Sequence, residues 1–273
     1  DGAILRFMVD TVRYNEFSGD RMQAVLDRYL KQCDWVLASK PEDRAAAERV
    51  APRERVSFLR RGIDREVFSP QRRDRARLSA THGIGEDRFV VIFVGRVDDA
   101  KNIMTLANAV RRLLDAGAPT HLLVAGTGER GPDIRRLLGD AVTLTGQAEP
   151  DTLGWLYASA DAFAFPSELE VMPNVVNEAR ASGLPALVSA TGGATQMVGR
   201  PGVDALCLPG RDVGAWADAI ALLMNDPARR RALADQGHRH VMATLPSWDD
   251  VLQQDLLPVW RRVIEERRAR APA

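Results

Sequence analysis

The chain has 273 residues, its 37 basic and 37 acidic side chains cancel, and 45% of it is hydrophobic. That length admits one large domain, or one domain with part of another, and the balanced charge implies no broad nucleic-acid surface. Cys33 and Cys207 lie too far apart in sequence for a metal-type spacing and read as small buried hydrophobes of a reducing, cytoplasmic compartment.

No signal peptide is visible and the first residue is not methionine, so the sequence reads as starting mid-protein. Apolar runs are strand-length, which indicates no membrane-spanning helix. Residues 20–32 suggest an amphipathic helix with Met22, Val25, Leu26 and Tyr29 on one face. A short strand at 35–38 and a helical stretch at 45–50 follow. From about residue 54, strand and helix alternate. Strands are expected at 56–59, 89–94, 122–125, 142–144, 162–165, 186–189 and 205–208, all short apolar runs without polar alternation, as in a parallel sheet covered on both faces. The helix at 103–115 carries Ile103, Leu106, Val110, Leu113 and Leu114 on one stripe, and Gly117 and Pro119 stop it. Three helices, at 213–225, 227–243 and 248–268, end the chain, the last with Trp248, Leu252, Leu256 and Trp260. The fold class expected is α/β, a Rossmann-like doubly wound parallel sheet that takes ligands at the carboxyl ends of its strands.

One segment carries the chemistry. Phe165-Pro166-Ser167-Glu168-Leu169-Glu170-Val171-Met172-Pro173-Asn174-Val175-Val176-Asn177-Glu178-Ala179 reads as a buried strand, a short loop and a helix opening. A helix N-terminus offers unpaired N–H groups and partial positive charge to a phosphate. Glu170 and Glu178 would repel phosphate but accept hydrogen bonds from hydroxyls. A ligand with both kinds of group is a nucleotide-sugar.

The spacing resembles the paired-glutamate motif of retaining glycosyltransferases of family four, which have the two-lobed GT-B fold. The likeness continues through Arg60-Arg61-Gly62-Ile63-Asp64, Gly95-Arg96-Val97-Asp98-Asp99-Ala100-Lys101-Asn102, Ala125-Gly126-Thr127-Gly128, Thr145-Gly146 and Thr191-Gly192-Gly193, over about residues 55 to 260. It implies that 1–53 are the end of an N-terminal acceptor lobe with its linker, that 54–246 are the donor-binding domain, and that the helix of 247–273 crosses back toward the other lobe. It also implies that Arg96 and Lys101 neutralise the donor diphosphate, that Glu178 accepts from the ribose, and that Glu170 binds and positions the sugar. Gly95, Gly126, Gly128, Gly146 and Gln147 would border the donor, and the backbone of Val171, Met172, Asn174 and Val175 would meet its phosphates. Catalysis then falls to Glu170, Arg96 and Lys101, with no metal and no cofactor beyond the nucleotide-sugar, a UDP- or GDP-hexose of mannose or glucose type. The acceptor would be a hydroxyl of a glycan or lipid. Gln196 stands where many relatives carry glutamate, and Met172 where they often have an aromatic or glycine, which leaves the sugar open. Glu168 is not assigned to the site.

Other readings remain. The chain alone could be a donor-binding module that needs an N-terminal lobe as partner. Gly126-Thr127-Gly128-Glu129-Arg130-Gly131 follows a strand and matches a dinucleotide fingerprint, with Glu149 and Asp151 about twenty residues on, which taken alone suggests an NAD-dependent dehydrogenase. His238 and His240, two apart, face different sides of a helix and make a poor metal pair. Arg229-Arg230-Arg231 and the group of Arg267, Arg268 and Arg270 read as solvated helix faces, or else as a patch attracted to anionic lipid at the inner membrane, which would suit a membrane-bound acceptor.

Overall fold

The computed structural model describes residues 7–9 and 20–270, which form two compact units. One takes in the described residues up to Ile63 with those from Leu245 onward; the other is Asp64–Thr244. In the first unit, β1 (Phe7–Val9), β2 (Trp35–Ala38) and β3 (Val56–Phe58) make a parallel three-stranded sheet in that order. The helix α1 (Asp20–Gln32) and α2 (Pro41–Ala47) lie beside it. The buried stripe of α1 differs from the expected one. Leu26 and Leu30, continued by Cys33, pack against Val36, Ala46 and Val56, whereas Val25 is 64% exposed and Tyr29 is also exposed. The spacing i, i+4, i+7 selects that face. The side chain of Met22 lies outside the described residues. Helix α2 begins at Pro41, earlier than expected, because proline is tolerated in a first turn. Segment 56–59, expected to open the later sheet, instead pairs with β2, Val36 opposite Val56. Burial of Val56 in the small core holds it there.

The second unit opens with α3 (Arg75–His82) and is built on six parallel strands in the order β6-β5-β4-β7-β8-β9. These are β4 (Phe89–Val94), β5 (Thr120–Ala125), β6 (Val142–Gly146), β7 (Ala162–Phe165), β8 (Ala186–Ser189) and β9 (Leu206–Leu208). Helices α4 (Ile103–Asp115), α5 (Gly131–Leu138), α6 (Pro150–Ser159), α7 (Asn174–Ala181), α8 (Gly193–Gln196), α9 (Val213–Asn225) and α10 (Pro227–Thr244) connect and flank them. Val90, Val91, Ile92 and Phe93 are wholly buried, as are Leu122, Leu123 and Val124, so both sheet faces are covered and the strand sequences show no polar alternation. Phe93 stacks on Phe165 at 5.9 Å, tying β4 to β7. From β4 the chain runs outward through β5 and β6, then returns to the other side of β4 and continues through β7, β8 and β9. The order therefore reverses between β4 and β7, and the crevice outside their carboxyl ends is where such sheets hold ligands.

The chain then re-enters the first unit through α11 (Trp248–Val251) and α12 (Leu257–Arg270), separated by a π-helical turn at Leu252–Leu256. A single helix was expected over this stretch. Pro258 lacks the N–H that would bond to Gln254, and its ring crowds that carbonyl, so the turn before it widens. Ser247 and Asp250 form a reciprocal capping box at the start. Trp248 is exposed, and Val259 and Val263 pack on Trp35 and Leu37, with Leu256 and Trp260 partly buried.

Candidate functional site

Two loops meet at the crevice. The first leaves β4 as Gly95–Asn102 and is braced mainly by backbone. Gly95 N–H donates to the Ala125 carbonyl at 3.0 Å, Val97 N–H to Thr127 at 2.9 Å, and Arg130 N–H to Val97 at 3.0 Å. This close approach explains the glycine-rich turn after β5. A Cβ on Gly126 would sit 1.9 Å from the Gly95 carbonyl oxygen, and one on Gly128 would sit 2.3 Å from that of Val97. The side chain of Asp98 accepts from Lys101 N–H at 3.2 Å and pairs with Arg96 at 3.1 Å. Asp99 binds the Arg130 guanidinium through two hydrogen bonds of 2.5 and 2.7 Å. Asn102, the only non-glycine among the described residues with a left-handed φ, ends the turn and admits α4.

The second loop leaves β7 and enters α7. It brings Glu170 to Lys101, and the two form an ion pair with side chains only 23% and 13% exposed. Gly193 N–H donates to the Glu170 carbonyl at 2.8 Å. The paired glycines admit this contact, since a Cβ on Gly192 would stand 2.1 Å from the Glu168 carbonyl oxygen and one on Gly193 2.1 Å from that of Val171. Helix α7 begins at Asn174 after Pro173, so the N–H groups of Asn174 and Val175 fall in its first turn, where helical backbone leaves donors unpaired. One turn further, Glu178 is half-buried. Burial pushes its carboxyl up to about 7, although the Tyr157 hydroxyl, 3.4 Å away, donates to it and opposes the shift.

A cavity of about 330 Å³ opens beside the first loop, lined by Gly95, Arg96, Gly126, Gln147 and Leu153 among others. Gly146 is adjacent, its carbonyl accepting from Gly126 N–H at 2.8 Å. Of the residues singled out from sequence, Gly95, Arg96, Gly126 and Gln147 thus line the cavity, Lys101 and Glu170 join across the crevice, and Asn174, Val175 and Glu178 share α7. Arg96 is 71% exposed and reaches Asp98. Gly128 is occupied by backbone packing against Val97. Sequence reasoning missed Asn102, Thr191 and Tyr157 and set Glu168 aside. The carboxylate of Glu168 accepts from Asn102 Nδ2 at 3.1 Å, from Thr191 Oγ1 at 3.1 Å and from Arg211 Nε at 3.3 Å. Only the polar residue immediately after Lys101 hinted at this. Among the described residues no group of three or more His, Cys, Asp and Glu side chains is placed to hold a metal ion. No helix among them is long and apolar enough to cross a membrane.

Residues 74–240 match the family described as glycosyl transferases group 1. The D-inositol 3-phosphate glycosyltransferase 1 of Catenulispora acidiphila is 33% identical over 232 residues, which are 80% of this chain and 54% of that protein. The chain thus spans about half the length of the curated relatives it matches. The sucrose-phosphate synthase of Thermosynechococcus elongatus superposes with a TM-score of 0.72 at 28% identity, over 93% of this chain and 65% of that one. The Anabaena protein HepE, solved in complex with UDP, superposes at 0.68 with 18% identity, over 92% of this chain and 69% of that one.

Proposed function

The chain belongs to the family of glycosyl transferases group 1, and from that premise we propose that its Asp64–Thr244 unit binds a nucleotide-sugar and takes part in retaining transfer of a hexose to a hydroxyl acceptor. The observation that carries this reading is the pairing of Lys101 with Glu170 at the reversal of strand order, one from the β4 loop and the other from the β7 loop. A cation that neutralises phosphate and a carboxylate that accepts from sugar hydroxyls stand together where a doubly wound sheet takes its ligand.

In this reading the nucleoside occupies the cavity at Gly95, Gly126 and Gln147, with Glu178 accepting from the ribose. The diphosphate lies among Arg96, Lys101 and the amides of Asn174 and Val175, and the sugar lies at Glu170. As the bond from the anomeric carbon to the phosphate oxygen breaks, negative charge grows on the leaving diphosphate, and these fixed donors stabilise it. The acceptor oxygen attacks from the same face, and its proton passes to the departing phosphate oxygen. The charge that a metal would otherwise supply comes from Arg96 and Lys101. UDP is the favoured nucleotide, since HepE was solved with UDP. A lipid or glycan hydroxyl is the first acceptor class, and contact with a membrane surface would suit it. A phosphorylated polyol is the second, from the names of the curated relatives.

A second reading is favoured by the chain's spanning about half of its relatives' length. Here it is a donor-binding part whose transfer needs an N-terminal lobe. The dehydrogenase reading loses its support, because Gly126 and Gly128 are accounted for by the packing of two loops. Transfer assays on the full-length protein test the proposal. Lys101→Ala should lower turnover about a hundredfold, and unchanged turnover would remove Lys101 and its partner from the chemistry.

A further inference from the structure

Glu168 lies two residues before Glu170 on the β7 loop, and its carboxylate joins that loop to three others. Oε2 accepts from Asn102, on the loop after β4, and from Arg211, on the loop after β9. Oε1 accepts from Thr191, on the loop after β8. The strands β4, β7, β8 and β9 are neighbours in the sheet, so one side chain laces the carboxyl ends of four adjacent strands. The surroundings are shaped to admit it. A Cβ on Gly210 would lie 2.7 Å from the Glu168 Cγ, and Gly192 clears the Glu168 carbonyl at a φ of +80°. Asn102 also donates to the Pro166 carbonyl at 3.1 Å, which fastens the root of the same loop. Burial opposes the charge of Glu168, but hydrogen bonds from Asn102, Thr191 and Arg211 together hold its carboxyl below the usual range.

The two partners of the central ion pair are both tied to this hub. Lys101 immediately precedes Asn102, and Glu170 follows Glu168 by two residues. They are not equally dependent on it. The Lys101 backbone is held separately by Asp98, and its loop by the Asp99–Arg130 pair and the backbone bonds to the β5 loop. The segment from Glu168 to Pro173 has no regular secondary structure. Besides the Lys101–Glu170 pair and the hydrogen bond that Gly193 donates to the Glu170 carbonyl, three anchors from the neighbouring loops converge on the Glu168 side chain.

We propose that Glu168 is a positioning residue: through Asn102, Thr191 and Arg211 it fixes the loop that aims Glu170 at the donor sugar, leaving the nucleotide half of the site to the β4 loop. This rests on the donor-site reading above. It predicts a split between sugar and nucleotide that a general loss of stability would not produce, because unfolding weakens both ligands alike.

Calorimetric titration of this chain tests it, using whichever of UDP-glucose and GDP-mannose the unaltered chain binds more tightly, beside the matching nucleoside diphosphate. Glu168→Ala should weaken the nucleotide-sugar about tenfold and the diphosphate less than about threefold. Glu168→Gln can keep its amide oxygen as acceptor for Asn102 and Arg211 while its NH2 group donates to the Thr191 hydroxyl, and it should restore the nucleotide-sugar to within about threefold of the unaltered chain. Thr191→Val keeps the shape of its site and should cost about threefold for the nucleotide-sugar alone; it decides the matter if Glu168→Ala fails to fold. Equal weakening of both ligands, or no weakening of either, overturns the role of Glu168. Absence of binding of every diphosphate by the unaltered chain overturns the donor-site reading itself, and the proposal with it.

Discussion

The two loops that meet at the crevice are held in opposite ways. The β4 loop is fastened by backbone hydrogen bonds to its neighbour after β5 and by short-range caps, with Asp98 three residues from Lys101. The β7 loop is fastened by side chains distant in sequence, Asn102, Thr191 and Arg211 converging on Glu168, and by clearances at Gly192 and Gly193. A loop braced through its backbone tolerates side-chain change and is broken by added volume. A loop braced through side chains yields to the loss of one carboxylate, so under the proposed reading its loss would weaken a bound sugar while the β4 loop stays in place.

Breaking the first loop should have the largest effect. Gly126→Ala forces a Cβ to within 1.9 Å of the Gly95 carbonyl at a φ of +147°, and backbone strain with overpacking should cost about 3 kcal/mol or more. Urea unfolding would measure it, and a cost below about 1 kcal/mol would mean that the two loops are not locked together.

A smaller effect separates the nucleotide end from its surroundings by pH. The Glu178 carboxyl is pushed from its ordinary 4.5 up to about 7, chiefly by burial. A ribose that donates to the carboxylate favours its charged form, so binding releases a proton below pH 7. UDP affinity should rise about tenfold between pH 6 and 8, and Glu178→Gln should flatten that rise. The stability of the free protein runs the other way. The folded carboxyl keeps its proton to about pH 7 while the unfolded one loses it near 4.5, so this group's contribution falls as pH climbs through that window. Affinity that is level with pH would detach Glu178 from the ribose. The smallest effect belongs to Arg130→Ala, which removes an exposed pair with Asp99 and leaves the backbone bonds intact. UDP affinity should change less than about twofold, and a larger loss would show that the first loop depends on side chains after all.

Legibility in the sequence follows the same division. Strands β4, β7 and β8 were legible at their ends because each is an apolar run bounded by polar or turn residues. Helix α6 was not, since Gly154 to Ser159 are buried on every side and leave no polar face to set a period. Its Gly154 is present because the Val67 carbonyl would lie 2.2 Å from a Cβ there, a contact that spacing cannot show. Lys101 and Glu170 were both singled out from sequence, and the strand order then brought them together. Glu168 is not assigned to the site from sequence, because its partners lie 23, 43 and 66 residues away. The buried face of α1 was misread because Val25 and Tyr29 are apolar yet point away from the packed side.

Calorimetric titration of the chain with UDP, GDP and NAD, repeated with Lys101→Ala, reads the proposed donor site directly. UDP should bind and NAD should not, and removal of Lys101 should weaken the diphosphate at least about tenfold. Binding of NAD alone, or UDP binding indifferent to Lys101, would contradict a donor site at the meeting of the β4 and β7 loops.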